Sequence, residues 1–137
     1  MHFEQDIVYV IDPDEAVDDA LAILLGAAGA RVECYPNAEA FLDSRSAHSL
    51  RPSCLLVEAN LPGMGCLAFL KRLRTQGIYD PVLILTSTSN RDIANQALMA
   101  GAAEIIEKPL VGSRLLNRLH FWNHCNDNVD IKSNGYL

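Results

Sequence analysis

The stretch Ile7-Val8-Tyr9-Val10-Ile11-Asp12-Pro13-Asp14-Glu15-Ala16-Val17 decides the fold. Ile7 to Ile11 is an unbroken apolar run rich in β-branched residues, the pattern of a strand buried on both faces. The chain turns polar at Asp12. From Asp14 to Ala28, Val17, Leu21, Leu24 and Leu25 recur at helical spacing, with Gly29 as the stop. A fully buried strand followed at once by an amphipathic helix opens a parallel βα architecture.

The alternation continues outward from there. Val32 to Tyr35 is short and alternating, an edge strand. Asn37 is placed to cap a helix running through Phe41 and Leu42. Cys54 to Val57 reads as the third strand, and Leu61-Pro62-Gly63-Met64-Gly65 as a loop by its breakers. Leu67, Leu70 and Leu73 mark a helix ending near Gly77. Pro81 to Thr86 is the fourth strand, and Ser89 or Asn90 caps a helix that stops at Gly101. Ala103 to Ile106 is a short fifth strand. The last helix runs from Val111 to about His124, with Leu115, Leu116 and Leu119 inward. These elements predict an α/β fold: a doubly wound five-stranded parallel sheet, order 2-1-3-4-5, of flavodoxin-like (βα)5 type. In that order ligands sit beyond the carboxyl ends of the strands. One domain is expected over residues 1–125, with a polar, flexible tail over 126–137.

Composition narrows the function. The chain has 137 residues, half of them hydrophobic, and a net charge of −6. Its densest basic group is Lys71, Arg72 and Arg74 on one helix, so no nucleic-acid partner is expected. No apolar run approaches the roughly 20 residues of a membrane span. Met1 to Asp6 lacks a signal-peptide pattern. The expected location is cytoplasmic. Cys34, Cys54, Cys66 and Cys125 form no CxxC pair, which argues against zinc or a disulfide framework. Cys34 and Cys54 read as small core hydrophobes. His2, His48, His120 and His124 read as surface histidines. No base motif accompanies Ser87, Ser89 or Ser113, and no phosphate-binding glycine loop appears. An enzyme is not expected.

Four polar residues close four strands: Asp12, Glu58, Thr86 and Lys108. Polar strand ends are common in α/β proteins, so their neighbours carry the argument. Val10 to Val17, Leu56-Val57-Glu58-Ala59-Asn60-Leu61-Pro62-Gly63-Met64, Leu83 to Ser87, and Ala100 to Leu110 resemble, in order and spacing, the motifs of response-regulator receiver domains. The resemblance, to the CheY-like superfamily and within it the FixJ-type subgroup, covers about residues 5–122. It implies a role in two-component signalling with a sensor histidine kinase or another signalling protein as partner. Docking is implied at Val17 and Leu21 on the first helix and at Pro109 and Leu110 after the fifth strand. Output or homodimer contacts are implied between Asn90 and His124. In such domains two adjacent acids hold Mg²⁺, and a strand-end Asp accepts the phosphoryl group. A Thr and a Lys then bind the phosphate oxygens. Thr86 with Ser87 and Lys108 with Pro109 occupy those last positions.

The chain departs from that pattern at three positions. Asp12 matches the first acid, but Pro13 occupies the second and supplies neither carboxylate nor N–H. Asp14 is the neighbour available to replace it, and it is expected to face solvent. Glu58 stands at the acceptor position with an extra methylene, and in-line transfer loses about 100-fold for a ~1 Å misplacement. Ile105 replaces the aromatic that moves with the switch Thr. Asp12, Glu58 and the Asn60 backbone make a poor shell for octahedral Mg²⁺. No cofactor is therefore expected, and Mg²⁺ binding should be weak or absent. Glu58 is expected to reach Lys108 in a charged hydrogen bond. The expected function is that of an atypical single-domain receiver, or pseudo-receiver, acting by phosphorylation-independent protein–protein interaction. The alternatives are a conventional receiver phosphorylated on Glu58 or Asp12, and the receiver half of a transcription regulator whose DNA-binding domain is absent here.

Overall fold

The computed structural model describes residues 7–44, 53–87 and 91–123. The tail expected over 126–137 and the helix caps expected at Ser89 or Asn90 lie outside them. Ten elements alternate: β1 (Ile7–Ile11), α1 (Glu15–Ala27), β2 (Arg31–Tyr35), α2 (Ala38–Ser44) and β3 (Ser53–Glu58), then α3 (Cys66–Thr75), β4 (Val82–Thr86), α4 (Arg91–Met99), β5 (Glu104–Glu107) and α5 (Gly112–Asn123). All strand pairs are parallel and the order is β2-β1-β3-β4-β5.

Burial follows position in that order. Every residue of β1 and β4 is buried, while β2 and β5 at the edges are half-exposed. An edge strand has one neighbour instead of two, so Cys34 on β2 is exposed and does not join the core. Cys54 on the interior strand β3 does.

Successive strand residues point to opposite faces and build two apolar layers. Tyr9, Ile11, Leu55, Val57 and Ile84 pack against Phe41, Phe69 and Ala94 on α2, α3 and α4. Tyr9 and Phe69 both meet Phe41 edge to face, at 5.3 and 5.7 Å between ring centroids. On the other face Val8, Val10, Leu56 and Leu85 pack against Leu21, Leu25, Leu115 and Leu119 of α1 and α5. Leu21 is 2% exposed and holds α1 to the sheet. The docking role expected of Leu21 is therefore corrected: its side chain faces the sheet and is out of a partner's reach. The large apolar side chain that α1 presents to solvent is Ile23.

Local chemistry fixes the ends of α1. Asp14 is extended and accepts the Ala16 N–H at 2.9 Å, so the helix begins one residue later than the apolar spacing predicts. Gly29, with φ of 97°, lets the chain leave the helix toward β2. The registers then align the strand ends, pairing Ile11 with Val57, Glu58 with Leu85 and Thr86 with Glu107.

Candidate functional site

The aligned ends bring Asp12, Glu58, Thr86 and Lys108 to one edge of the sheet. Asp12 directly follows β1 and donates its N–H to Tyr35 O at 3.0 Å, extending the β1–β2 ladder. Its side chain is 1% exposed, and Oδ1 accepts the Asp14 N–H at 2.8 Å. Glu58 ends β3, and its Oε1 accepts the Asn60 N–H at 3.3 Å. Lys108 follows β5 and is held by its own N–H, which donates to Thr86 O at 2.8 Å. The Lys108–Pro109 peptide is cis. From there the Lys108 ammonium lies 2.6 Å from Glu58 Oε2 and 3.4 Å from Asp12 Oδ2. Thr86 is buried, and its hydroxyl donates to the Ser87 carbonyl at 2.9 Å.

One cation thus bridges two carboxylates in a mostly dehydrated crevice. Burial pushes the Asp12 carboxyl above its ordinary value, against the pull of the Asp14 N–H and of Lys108, and the Glu58 charge adds to the rise. Burial also works to lower the Lys108 ammonium. The hydrogen bond to Glu58 and the charges of Asp12 and Glu58 outweigh it, and the net direction is upward.

The oxygens a cation would need are already engaged. Asp12 and Glu58 each give one oxygen to a backbone N–H and turn the other toward Lys108. Pro13 supplies no donor, and the exposed Asp14 carboxylate caps α1. Among the described residues no group of three or more His, Cys, Asp or Glu is arranged to hold a metal ion. As arranged, these donors do not fit an octahedral Mg²⁺ shell.

The remaining expected positions fall around this crevice. Ile105 is half-buried and packs on the layer under α4. Val17 and Leu110 pack on the opposite layer, under α1 and α5, and Pro109 is exposed. A groove of about 720 Å³ between α4 and α5 runs along β5, lined among others by Thr86, Arg91, Ile105, Glu107, Arg114 and Arg118. Ion pairs flank it. Arg91 meets Glu107 at 2.7 Å, and Glu104 accepts from Arg118 Nε at 2.7 Å and from the Trp122 indole N–H at 3.2 Å. Burial disfavours the Glu104 carboxylate, yet the hydrogen bonds from Arg118 and Trp122 outweigh it and hold it below its ordinary value. Sequence reading missed this clamp. Its one local signal is that Arg118 and Trp122 lie four residues apart on one helix face.

A sheet of this order, with acids, a Thr and a Lys converging beyond its strand ends, is the architecture of a two-component receiver. The response regulator receiver domain model matches residues 8–120, and the chain belongs to that family. It is 36% identical over 108 residues to the transcriptional regulatory protein FixJ of Bradyrhizobium diazoefficiens, covering 79% of this chain and 52% of that protein. It is 29% identical over 119 residues to the response regulator protein TmoT of Ectopseudomonas mendocina, covering 87% and 53%. Among solved structures, full-length FixJ from B. japonicum superposes with a TM-score of 0.83 at 30% identity, over 96% of this chain and 62% of that one. The chain spans about half the length of the curated relatives it matches. Among the described residues no helix is long and apolar enough to cross a membrane.

Proposed function

We propose that this receiver works by protein–protein recognition without phosphorylation, with Glu58 taking the place of a phosphoryl group opposite Lys108. The 2.6 Å contact between Lys108 Nζ and Glu58 Oε2 carries the reading. A phosphoacceptor must present a free oxygen in line with its donor, and metal and lysine must neutralise the transferred charge. Here the acceptor carboxylate is already neutralised by that lysine. Pro13 removes a metal ligand, so Mg²⁺ binds weakly or not at all. The partner is a sensor histidine kinase or another signalling protein, met through α1 and the Pro109 loop. Output or self-association runs through the face between Asn90 and His124. Intact mass after incubation with acetyl phosphate and Mg²⁺ is the test, and an unchanged mass is expected. Addition of one phosphoryl group that disappears in Glu58→Gln would establish conventional phosphorylation instead.

The relatives favour a second reading of the output. Proteins named as transcriptional regulators match this chain over about half their length. On that reading the receiver is the regulatory half of a longer DNA-binding protein. The length of the open reading frame at the locus separates the two.

A further inference from the structure

The loop that follows Glu58 is tethered near both ends by carboxylates. At its start the Asn60 N–H donates to Glu58 Oε1 at 3.3 Å. At its end the Met64 N–H donates to Glu39 Oε2 at 3.0 Å, from a residue 25 positions away in the first turn of α2. Gly63 makes the second tether possible. Its φ is +67°, and a Cβ there would lie 2.8 Å from Glu39 Oε2. The positive φ favours glycine there, and a Cβ would press on the flexible end of the Glu39 side chain where the carboxylate reaches in. On either side of Asn60, Ala59 and Leu61 are buried, while Pro62 and Gly63 are exposed. The loop is thus anchored by two apolar side chains and two carboxylates, and one of those carboxylates is the partner of Lys108.

We infer that Glu39 is a positioning residue for the ionic site: it latches the rim of the crevice to α2 and so couples the α2 surface to the Glu58–Lys108 contact. This rests on the reading of Glu58 and Lys108 as the functional pair. A partner that bound α2 and drew Glu39 away would release Met64, free the exposed turn at Gly63 and loosen the Asn60 grip on Glu58. The signal would then travel from α2 to the crevice with no chemistry at Glu58.

Amide hydrogen exchange by NMR on the full chain tests the latch, with the Lys108 side-chain ammonium signal as a second readout. Glu39→Ala should speed exchange at Met64 by roughly tenfold, the loss of one charge-assisted hydrogen bond. It should also speed exchange at Asn60 and shift the Lys108 signal, while the β1 and β4 amides stay protected. Glu39→Gln retains a carbonyl acceptor and should restore most of the protection. Should Glu39→Ala fail to fold, Gly63→Ala, which pushes on the carboxylate from the other side, should speed exchange at Met64 and Asn60 and shift the Lys108 signal in the same way. Unchanged exchange at Met64 would overturn the latch. Faster exchange at Met64 with Asn60 and Lys108 unmoved would overturn the coupling. Phosphate uptake by the wild-type protein would defeat the proposed function without touching the Met64 result.

Discussion

Removal of Lys108 tests the central contact most directly. At an effective dielectric near 20, unit charges attract by about 6 kcal/mol at the 2.6 Å of Glu58 and about 5 kcal/mol at the 3.4 Å of Asp12. Desolvation of the three groups, and repulsion between the two carboxylates, offset most of that gross attraction. Lys108→Met keeps the stem of the side chain but leaves two carboxylates whose side chains are 1% and 11% exposed without their counter-charge. The expected cost is about 3 kcal/mol at pH 7, the low end for breaking a buried pair because the lysine itself is partly solvated. Urea unfolding measures it, as a lower midpoint at unchanged slope. The Lys108 ammonium is raised above 10.5, so its contribution is complete below that pH and is lost as pH climbs through the folded value. The variant should lack this alkaline loss. Asp12 is raised above 3.8, so the variant's deficit should shrink as pH falls toward 4 and the carboxyl protonates. Glu58→Gln with Lys108→Met should recover part of the loss. A wild-type midpoint for Lys108→Met, or a coupling below about 0.5 kcal/mol in the double-mutant cycle, would refute the reasoning.

Pro13→Asp with Glu58→Asp should restore Mg²⁺ binding and phosphate uptake from acetyl phosphate, and either change alone should do little, because both act on one transition state; an inert but folded double variant counts against a receiver disabled chiefly at these two residues. Trp122 is the single tryptophan and its indole donates to Glu104, a carboxylate held below 4.5. That stabilisation is present above 4.5 and lost as pH falls through the folded value, so tryptophan emission should shift there, while Glu104→Gln should lack the transition. Asp18 has a buried Oδ1 with no hydrogen-bond partner among the described residues. Its carboxyl is pushed up to about 6 by burial and then by Asp12, Asp19, Asp14 and Glu15. The penalty of a raised carboxyl is absent below 3.8, where both states are protonated, and complete above about 6, so Asp18→Asn should stabilise by about 1 kcal/mol at pH 7.5 and by almost nothing at pH 4, read by thermal unfolding. Asp14, Glu15 and Asp19 are exposed, so solvent screens their share of the repulsion.

The sequence alone determined the order of the elements, the strand order and the four strand-end residues. The elements and their ends depend on periodicity and punctuation, which are local: an apolar run at Ile7 to Ile11, helical spacing from Val17 to Leu25, breakers at Gly29 and Gly77; the strand order follows from the few topologies that right-handed crossovers allow. Set beside the motifs the sequence resembles, Pro13 and Glu58 stand out as departures, because a missing carboxylate and an added methylene are readable without coordinates. Tertiary structure alone decided which side chains meet. Leu21 lies on the apolar stripe that helical spacing turns toward the sheet, and its 2% exposure follows that stripe and not the docking role the family resemblance implied. Cys34 was read as a small packed hydrophobe on an edge strand, yet its side chain is exposed, because which residues of an edge strand are covered is settled only by the elements packed against it. The Glu104 clamp joins a strand to the helix after it and the Glu39 latch joins α2 to the loop after β3, and neither pairing follows from the periodicity of its own element. The same holds for the distance from Lys108 to Glu58: sequence supplied the charges, and the parallel registers of β3, β4 and β5 brought them to 2.6 Å.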